Sequence, residues 1–209
     1  MVSCGSEQHA DKRIFKYNEH SGITSLDPIY ARNLANIWAV SQIYEGLTRL
    51  DSDGKVVPAL ALSWSCDSLA QNWTFVLRQQ VYWHPHPQLK PGATFCPEDA
   101  KASLERAANH PFTQWLLADL DSIWVSDSHQ LSMAFSGPKP QLPALLSMPT
   151  LALLPKEILE NEQLRSKPSG TGPFHLVAWH EQEKMVLRRF EDYWMQEQGN
   201  QLPYLDGIS

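Results

Sequence analysis

The residues best suited to bind a metal ion stand together at one place in the chain, His84-Pro85-His86. Imidazole is the commonest protein ligand for nickel, copper and zinc, and the prolines at 85 and 87 restrict the backbone. No third ligand lies nearby in the sequence, although metal sites in proteins use three or more protein ligands. We therefore predict a solvent-exposed loop here and no metal site.

The sequence motifs of common catalytic sites are absent. The chain has no Gly-x-Ser-x-Gly elbow, no Gly-x-x-x-x-Gly-Lys phosphate loop, no His-Glu-x-x-His helix and no Cys-x-x-Cys pair. Gly170-Thr171-Gly172 resembles a phosphate-binding turn, but a strand follows it, so no helix N-terminus is available to hold an anion. The sequence therefore predicts a structural turn at this position, no enzyme activity and no cofactor.

Main-chain groups in the stretch from Glu19 to Thr24 could instead hold a ligand. This stretch leaves a predicted strand and contains Gly22, so it can expose unpaired N–H and C=O groups at the wall of a cleft. An extended peptide can bind such an edge through main-chain hydrogen bonds, which give affinity without reading side chains. The alternative is an ordinary surface loop, since not all loops at strand ends are functional.

Two regular elements would position this stretch. Arg13 to Tyr17 alternates apolar and polar residues and predicts the strand that precedes it. From Asn33 to Glu45 the apolar residues keep helical spacing, with Asn33 as the N-cap and Gly46 as the stop.

A β-hairpin is predicted after the glycine turn. The segments 174–179 and 184–190 alternate apolar and polar side chains, and His180 to Glu183 form the turn between them. A second hairpin pairs 47–50 with 55–58 around the turn 51–54. The pattern predicts further strands at 63–66, 72–78, 122–126, 130–135 and 151–155, and further helices at 95–108, at 141–148 and from residue 155.

Composition excludes some classes of partner. The 209 residues carry a net charge of −6 with acidic residues spread along the chain, so no basic stripe is present for nucleic acid or anionic lipid. No run approaches the roughly 20 apolar residues of a membrane-spanning helix. The chain has eight tryptophans, and we predict that five of them are packing anchors rather than ligand platforms. These five are Trp38, Trp64, Trp73, Trp179 and Trp194.

The three cysteines leave two questions open. Met1 to Ser6 places small and apolar residues before Cys4 and resembles the end of a bacterial lipobox, in which the cysteine is lipidated. The charged and apolar parts of a signal peptide are missing, and a chance cysteine in a frayed terminus is the alternative. If Cys4 is lipidated, the polar residues up to Lys12 form a tether, and this anchor is the protein's one membrane contact. Cys66 and Cys96 could form a disulfide, but no spacing rule demands it.

Six blocks of sequence occur in an order that is typical of one protein family. They are Tyr44-Glu45-Gly46-Leu47, Pro58-Ala59-Leu60-Ala61 with Ser63-Trp64, Trp73-Thr74-Phe75-Val76-Leu77-Arg78, Gly170-Thr171-Gly172-Pro173-Phe174, Asp192-Tyr193-Trp194 and Pro203-Tyr204-Leu205-Asp206-Gly207-Ile208. They resemble the signature of the family 5 extracellular solute-binding proteins, the peptide- and nickel-binding subunits of ABC importers. The chain departs from the family where 83–88 replaces a His-Asp-Gly turn and where Cys96 replaces a threonine cap.

The resemblance implies an α/β, periplasmic-binding-protein-like fold of the two-lobed, class II, peptide-binding type. Only the first lobe and an inserted subdomain are expected within the chain. By analogy, 1–12 is a lipoprotein-like tether, 13–43 and 168–209 form the first-lobe core, and 44–167 is the inserted subdomain. A second lobe would lie beyond Ser209, so we expect this piece alone to bind peptides weakly or not at all, because closure of two lobes is what desolvates a ligand.

The resemblance also implies a function. It predicts the substrate-binding subunit of an ABC importer, lipid-anchored in the periplasm or at the cell surface, that captures extended di- and oligopeptides and delivers them to the membrane permease. Ser21, Gly22, Ile23 and Thr24 stand where the resemblance places ligand contacts. Alternatives are a nickel- or haem-binding member of the same family and the ligand-sensing domain of a transcription regulator. The regulator would need a basic helical N-terminus, and an enzyme would need a nucleophile and base that the sequence lacks.

Overall fold

The computed structural model describes residues 12–160 and 162–209. Its strands are β1 (Ile14–Phe15), β2 (Thr48–Leu50), β3 (Val56–Pro58), β4 (Ala61–Cys66), β5 (Asn72–Leu77), β6 (Leu120–Asp127), β7 (Gln130–Phe135), β8 (Phe174–His180), β9 (Lys184–Arg189), β10 (Gln196–Glu197), β11 (Asn200–Gln201) and β12 (Gly207–Ile208). Its α-helices are α1 (Leu34–Ile43), α2 (Pro97–Asn109) and α3 (Leu142–Leu145). Turns of 3-10 helix lie at Pro28–Tyr30, Pro149–Leu151, Lys156–Ile158 and Glu162–Arg165.

The first four-stranded sheet has the order β1-β12-β9-β8. Strands β8 and β9 form the predicted hairpin, with Leu176 opposite Leu187. Strand β12 pairs antiparallel with β9 and parallel with β1, where Ile14 lies opposite Gly207. The hairpin and the predicted first strand are therefore confirmed, and they share one sheet, which brings the stretch after β1 close to the hairpin.

The second four-stranded sheet is antiparallel and has the order β4-β5-β7-β6. Alternate residues of its central strands point into a core, so that Phe75, Leu131 and Met133 are fully buried. Helix α2 packs on this sheet through Leu104 and neighbouring apolar residues. The predicted hairpin at 47–58 forms separately as β2 and β3.

Two clusters of buried apolar residues stabilise the chain. One surrounds the second sheet and α2. The other joins α1 to the first sheet through Val40, Ile43 and Leu187, and Leu154 and Ile158 also pack there. The predicted division into a first-lobe core and an inserted subdomain (boundaries at 43/44 and 167/168) stays a prediction.

Side-chain caps define where the two longer helices begin. The Asn33 Oδ1 atom accepts the Asn36 N–H at 2.8 Å, which confirms the predicted N-cap of α1. At α2 the Asp99 carboxylate accepts the Cys96 N–H at 2.9 Å and the thiol at 3.2 Å. Burial, followed by the Asp99 charge, raises the pKa of the Cys96 thiol to about 12, so the thiol stays a donor.

Several sequence predictions are wrong in detail. Helix α1 ends at Ile43 rather than near Gly46, because Tyr44 is already extended (φ −121°, ψ 162°). The segment 151–155 is buried but is not a strand: its donors at Leu153 and Leu154 go to the Glu45 carbonyl and to the Ser103 hydroxyl, so no ladder forms. The helices predicted at 141–148 and from residue 155 shrink to α3 and a 3-10 turn.

The cysteine and membrane predictions have mixed outcomes. Cys66 and Cys96 are both free thiols, so no disulfide joins them. Cys4 lies outside the described residues, and its lipidation stays a prediction. Within 12–160 and 162–209, no helix has the length and apolar character needed to cross a bilayer.

Candidate functional site

A cavity of about 410 Å³ opens between the stretch after β1 and the β8–β9 hairpin. Its walls are 17–23 on one side and the hairpin residues 179, 180 and 182–185 on the other. Trp38 of α1 and Leu187 of β9 lie between these walls. The fold thus brings three of the predicted contact residues, Ser21, Gly22 and Ile23, to a concave surface.

Hydrogen bonds to Glu19 fix the beginning of this wall. The Glu19 carboxylate accepts the Ser21 N–H and the Tyr17 hydroxyl, each at 2.9 Å. These two donors, the Ser21 amide first, hold the pKa of Glu19 below its usual value, so the carboxylate stays ionised and able to accept both bonds. Gly22 follows with φ +70°, a left-handed conformation that favours glycine.

The main-chain groups of Gly22 and Ile23 make no hydrogen bond to any residue within the described ranges. Thr24 is different, because its N–H donates to Asn36 Oδ1 at 2.9 Å and its C=O accepts from Arg165 Nε at 2.7 Å. Thr24 lies on the wall of a neighbouring groove rather than in the cavity. Among the four predicted contact residues, Gly22 and Ile23 are therefore those whose main-chain N–H and C=O groups are both free at the cavity, and contact of all four residues with ligand stays a prediction.

Aromatic side chains form the floor of the cavity. The Tyr17 ring stacks on Trp38 with centroids 4.3 Å apart and planes 23° apart, and Trp179 approaches from β8. Of the five predicted packing anchors, Trp73 is buried in the core as expected. Trp38 and Trp179 also pack against a core cluster, but each keeps a face toward the cavity. This combination of aromatic faces and free main-chain groups suits an organic ligand with polar ends.

A second concave surface lies behind Thr24. This groove of about 620 Å³ contains the ion pair of Asp27 and Arg106, whose guanidinium donates to both carboxylate oxygens at 2.7 and 3.0 Å. Asn36 lies at its edge and, besides holding the Thr24 amide, donates to the Thr24 hydroxyl at 3.0 Å. Asp27 and Arg106 in this groove are thus already paired with each other.

An exposed aromatic surface, which the sequence analysis missed, lies beyond this groove. Tyr30, His110 and Phe112 contact one another edge to face, with ring centroids 5.2–5.7 Å apart. Arg32 covers the Phe112 ring at 4.4 Å, and Trp115 is 64% exposed. The signal in the sequence was the pair of aromatic residues in 112–115, directly after the end of α2.

Three of the sequence blocks meet at Glu45. Its carboxylate accepts the Thr171 hydroxyl at 2.9 Å, the Tyr193 hydroxyl at 2.8 Å and the Trp194 indole N–H at 2.7 Å. Burial raises the pKa of Glu45 to about 7, and the three donors and nearby Arg78 only partly oppose this rise. Glu45 therefore joins the end of α1 to the glycine turn and to the corner after β9.

The glycine turn packs against the end of α1 and against His84. His84 is buried, so the predicted exposure of the 84–86 loop is wrong for this residue. Its Nε2–H donates to the Gly172 carbonyl at 2.8 Å, and its Nδ1 accepts the Gly170 N–H at 3.3 Å. Both ring nitrogens are occupied, and no cluster of three or more metal-binding side chains occurs among the residues that the structure describes.

We expect His84 to make the protein sensitive to acid. Burial lowers the pKa of His84 to about 3, whereas it is 6.5 in the unfolded chain, so the folded state binds the proton less well. The contribution of His84 to stability is complete above pH 6.5 and is lost as the pH falls toward 3. The difference in unfolding free energy between wild type and His84→Leu should shrink over this range in urea titrations. A constant difference would contradict the prediction.

Comparisons with known proteins place this fold and sequence among solute-binding proteins. Residues 55–209 match the model of the bacterial extracellular solute-binding proteins, family 5 (middle). The chain is 29% identical to the glutathione-binding protein GsiB of Salmonella typhimurium over 194 residues, covering 90% of this chain and 36% of GsiB. It therefore spans a little over one third of the length of that relative.

Two solved structures show the same architecture. The protein AgaA of A. tumefaciens, solved with agropinic acid, is 27% identical with a TM-score of 0.80, and the match covers 94% of this chain and 38% of AgaA. DppA of Helicobacter pylori, solved with the peptide STSA, is 26% identical with a TM-score of 0.81. The match covers 94% of this chain and 41% of DppA. These matches confirm the predicted α/β, class II periplasmic-binding-protein fold and its partial coverage.

Proposed function

Because the chain belongs to the family 5 bacterial extracellular solute-binding proteins, we propose that it captures extended peptides for an ABC importer. The observation that carries the proposal is that the main-chain N–H and C=O groups of Gly22 and Ile23 are free at the wall of the cavity. An extended peptide can pair with such groups as an added strand, whatever its side chains are. The peptide-bound DppA and the glutathione-binding GsiB support a ligand that contains peptide bonds.

The proposal assigns a role to each wall of the cavity. Gly22 and Ile23 pair with the ligand main chain, and Ser21 stays fixed by Glu19. Trp38 and Trp179 receive apolar parts of the ligand side chains. Thr24 supports the wall from behind, since its main-chain groups already have partners.

Location and partners form part of the same proposal. The ligand passes from the binding protein to a membrane permease, and no step involves nucleic acid or catalysis. A lipid on Cys4 would hold the protein at the cell envelope, in the periplasm or at the cell surface, through a polar tether that ends near Lys12.

Titration of the isotope-labelled 209-residue chain with a pool of di- to pentapeptides tests this proposal. We expect amide resonances of Gly22 and Ile23 to shift with a weak dissociation constant, on the order of 1 mM, because this chain covers only part of its relatives' length. Peptide-induced shifts that fall elsewhere and spare Gly22 and Ile23 would overturn the proposal. Shifts produced only by nickel–histidine or by haem would replace peptide with the alternative ligand classes of the family.

Two tryptophan variants locate the site. Trp38 faces the cavity and Trp115 lies on the separate aromatic surface, so Trp38→Ala should weaken peptide binding about tenfold while Trp115→Ala leaves it unchanged. Circular dichroism and urea unfolding check that both variants fold. The reverse result, with shifts confined to Tyr30, Phe112 and Trp115, would move the ligand to the aromatic surface.

A further inference from the structure

Arg165 connects the two walls of the cavity from behind. Its Nε donates to the Thr24 carbonyl at 2.7 Å, and its Nη2 donates to the Glu181 carboxylate at 2.9 Å. Thr24 directly follows the wall formed by 17–23, and Glu181 lies in the turn of the opposing β8–β9 hairpin, between the lining residues His180 and Gln182. One planar guanidinium therefore spans the two segments that bound the cavity.

The main chain around Arg165 reinforces this connection. The Leu26 N–H donates to the Arg165 carbonyl at 2.9 Å, so the backbone of Arg165 is held beside the same wall that its side chain contacts. Asn36 holds Thr24 from the other direction, through the Thr24 amide at 2.9 Å. Thr24 is thus clamped between Asn36 and Arg165, while the free groups of Gly22 and Ile23 lie just before it.

We propose that Arg165 is a positioning residue that sets the distance between the two walls and thereby the affinity of the cavity for an extended ligand. The effect on affinity rests on the proposed function, whereas the effect on the walls does not. Arginine suits the role because its guanidinium presents several donors in fixed directions, so one side chain can satisfy a carbonyl and a carboxylate together. A lysine ammonium at the same position would hold only one of these partners in good geometry.

The pair contributes little to the stability of the whole protein. The side chains of Arg165 and Glu181 are 56% and 59% exposed, so water and salt screen their attraction. Variants of this pair should therefore fold normally, and a change in the cavity can be separated from unfolding.

The first measurement uses the chain without ligand. Arg165→Ala and Glu181→Gln should each shift the amide resonances of both walls, at 21–24 and at 180–183. They should also speed hydrogen exchange at the Thr24 amide about fivefold, the size expected for coupled neighbours. Arg165→Lys should restore the shifts of only one wall. About 0.5 M salt should move the wild-type resonances toward those of Glu181→Gln, because salt screens an exposed ion pair.

Lys101→Ala provides the matched control. Lys101 forms an exposed ion pair with Glu105 at 3.3 Å on α2, away from the cavity. Its loss removes a comparable surface pair and should leave both walls unchanged. If Arg165→Ala affects only residues next to position 165, or if Lys101→Ala shifts the walls equally, the positioning role is overturned.

Peptide titration then separates this inference from the proposed function. Where wild type binds the peptide pool, Arg165→Ala should weaken binding about fivefold with an unchanged urea midpoint. Binding of equal strength in wild type and Arg165→Ala would overturn the positioning role and leave the proposed function standing. Movement of the walls in Arg165→Ala, together with peptide-induced shifts that spare Gly22 and Ile23, would overturn the proposed function and leave the connection between the walls standing.

Discussion

Replacing Gly172 with alanine is expected to lower the free energy of unfolding by about 3 kcal/mol. An added Cβ at this position would lie 2.6 Å from the Ile43 carbonyl carbon and 2.8 Å from the Gln42 carbonyl oxygen. Both are backbone atoms at the end of α1, so they cannot rotate away. Relief requires the turn to move off the helix, which breaks the bond of the Gly172 N–H to the Ile43 carbonyl at 2.9 Å.

Urea unfolding followed by tryptophan fluorescence measures this effect, and the chain offers a matched control. Gly137 has no neighbour within 4 Å of an added Cβ, so Gly137→Ala should change stability by no more than about 0.5 kcal/mol. Gly170→Ala should resemble Gly172→Ala, since its Cβ would lie 2.8 Å from the Ile43 carbonyl carbon. A loss below about 1 kcal/mol for Gly172→Ala would show that the turn can shift freely.

The close contact explains why two glycines stand in this turn. The turn leads directly into β8, and the Pro173 carbonyl accepts the Phe190 N–H at 2.9 Å, which fixes the base of the hairpin. Since the hairpin forms one wall of the candidate cavity, a displaced turn would also move that wall. The glycines thus serve packing against α1, in agreement with the prediction of a structural turn.

Features that depend on neighbouring residues could be predicted from the sequence. The β8–β9 hairpin follows from alternation around a polar turn, and the start of α1 follows from the Asn33 cap. The order of the sequence blocks indicated the family, which the comparisons confirm. These signals are local or linear, so no knowledge of distant contacts was needed.

Features that depend on distant partners could not be predicted. The N–H groups of Leu153 and Leu154 donate to Glu45 and Ser103, so the segment 151–155 forms no strand although its apolar pattern is typical of a buried strand. The local sequence predicts an exposed loop at His84, whereas hydrogen bonds to Gly170 and Gly172, which are distant in the sequence, hold the side chain in a buried position. Likewise, the main-chain groups of Thr24 are paired with Asn36 and Arg165, which lie 12 and 141 positions away in the sequence.

Glu45 is the position where a second large effect is expected. Glu45→Ala should lower the free energy of unfolding by about 3 kcal/mol, because Thr171, Tyr193 and Trp194 lose their common acceptor. Glu45→Gln should cost less: its carbonyl can still accept from Thr171 and Trp194, and its amide can donate to the Tyr193 hydroxyl. We expect the free energy of unfolding at pH 7 to fall in the order wild type, Glu45→Gln, Glu45→Ala. This order tests whether hydrogen bonding or side-chain volume matters at position 45.

The dependence on pH separates the charge of Glu45 from its shape. Burial raises the folded-state pKa to about 7 from 4.5, so the folded protein holds this proton more tightly than the unfolded chain does. The stability contributed by the protonated acid is therefore complete below pH 4.5 and is lost as the pH rises to about 7. Relative to Glu45→Gln, wild type should lose roughly 3 kcal/mol across this range.

This dependence runs opposite to that of His84, so the two residues can be told apart in one set of titrations. Between pH 4.5 and 6.5, rising pH weakens the folded state through Glu45 and strengthens it through His84. With rising pH, Glu45→Gln should therefore gain stability relative to wild type. His84→Leu should lose stability relative to wild type. A difference between wild type and Glu45→Gln that stays flat from pH 4.5 to 7 would mean that the donors and Arg78 keep Glu45 ionised throughout.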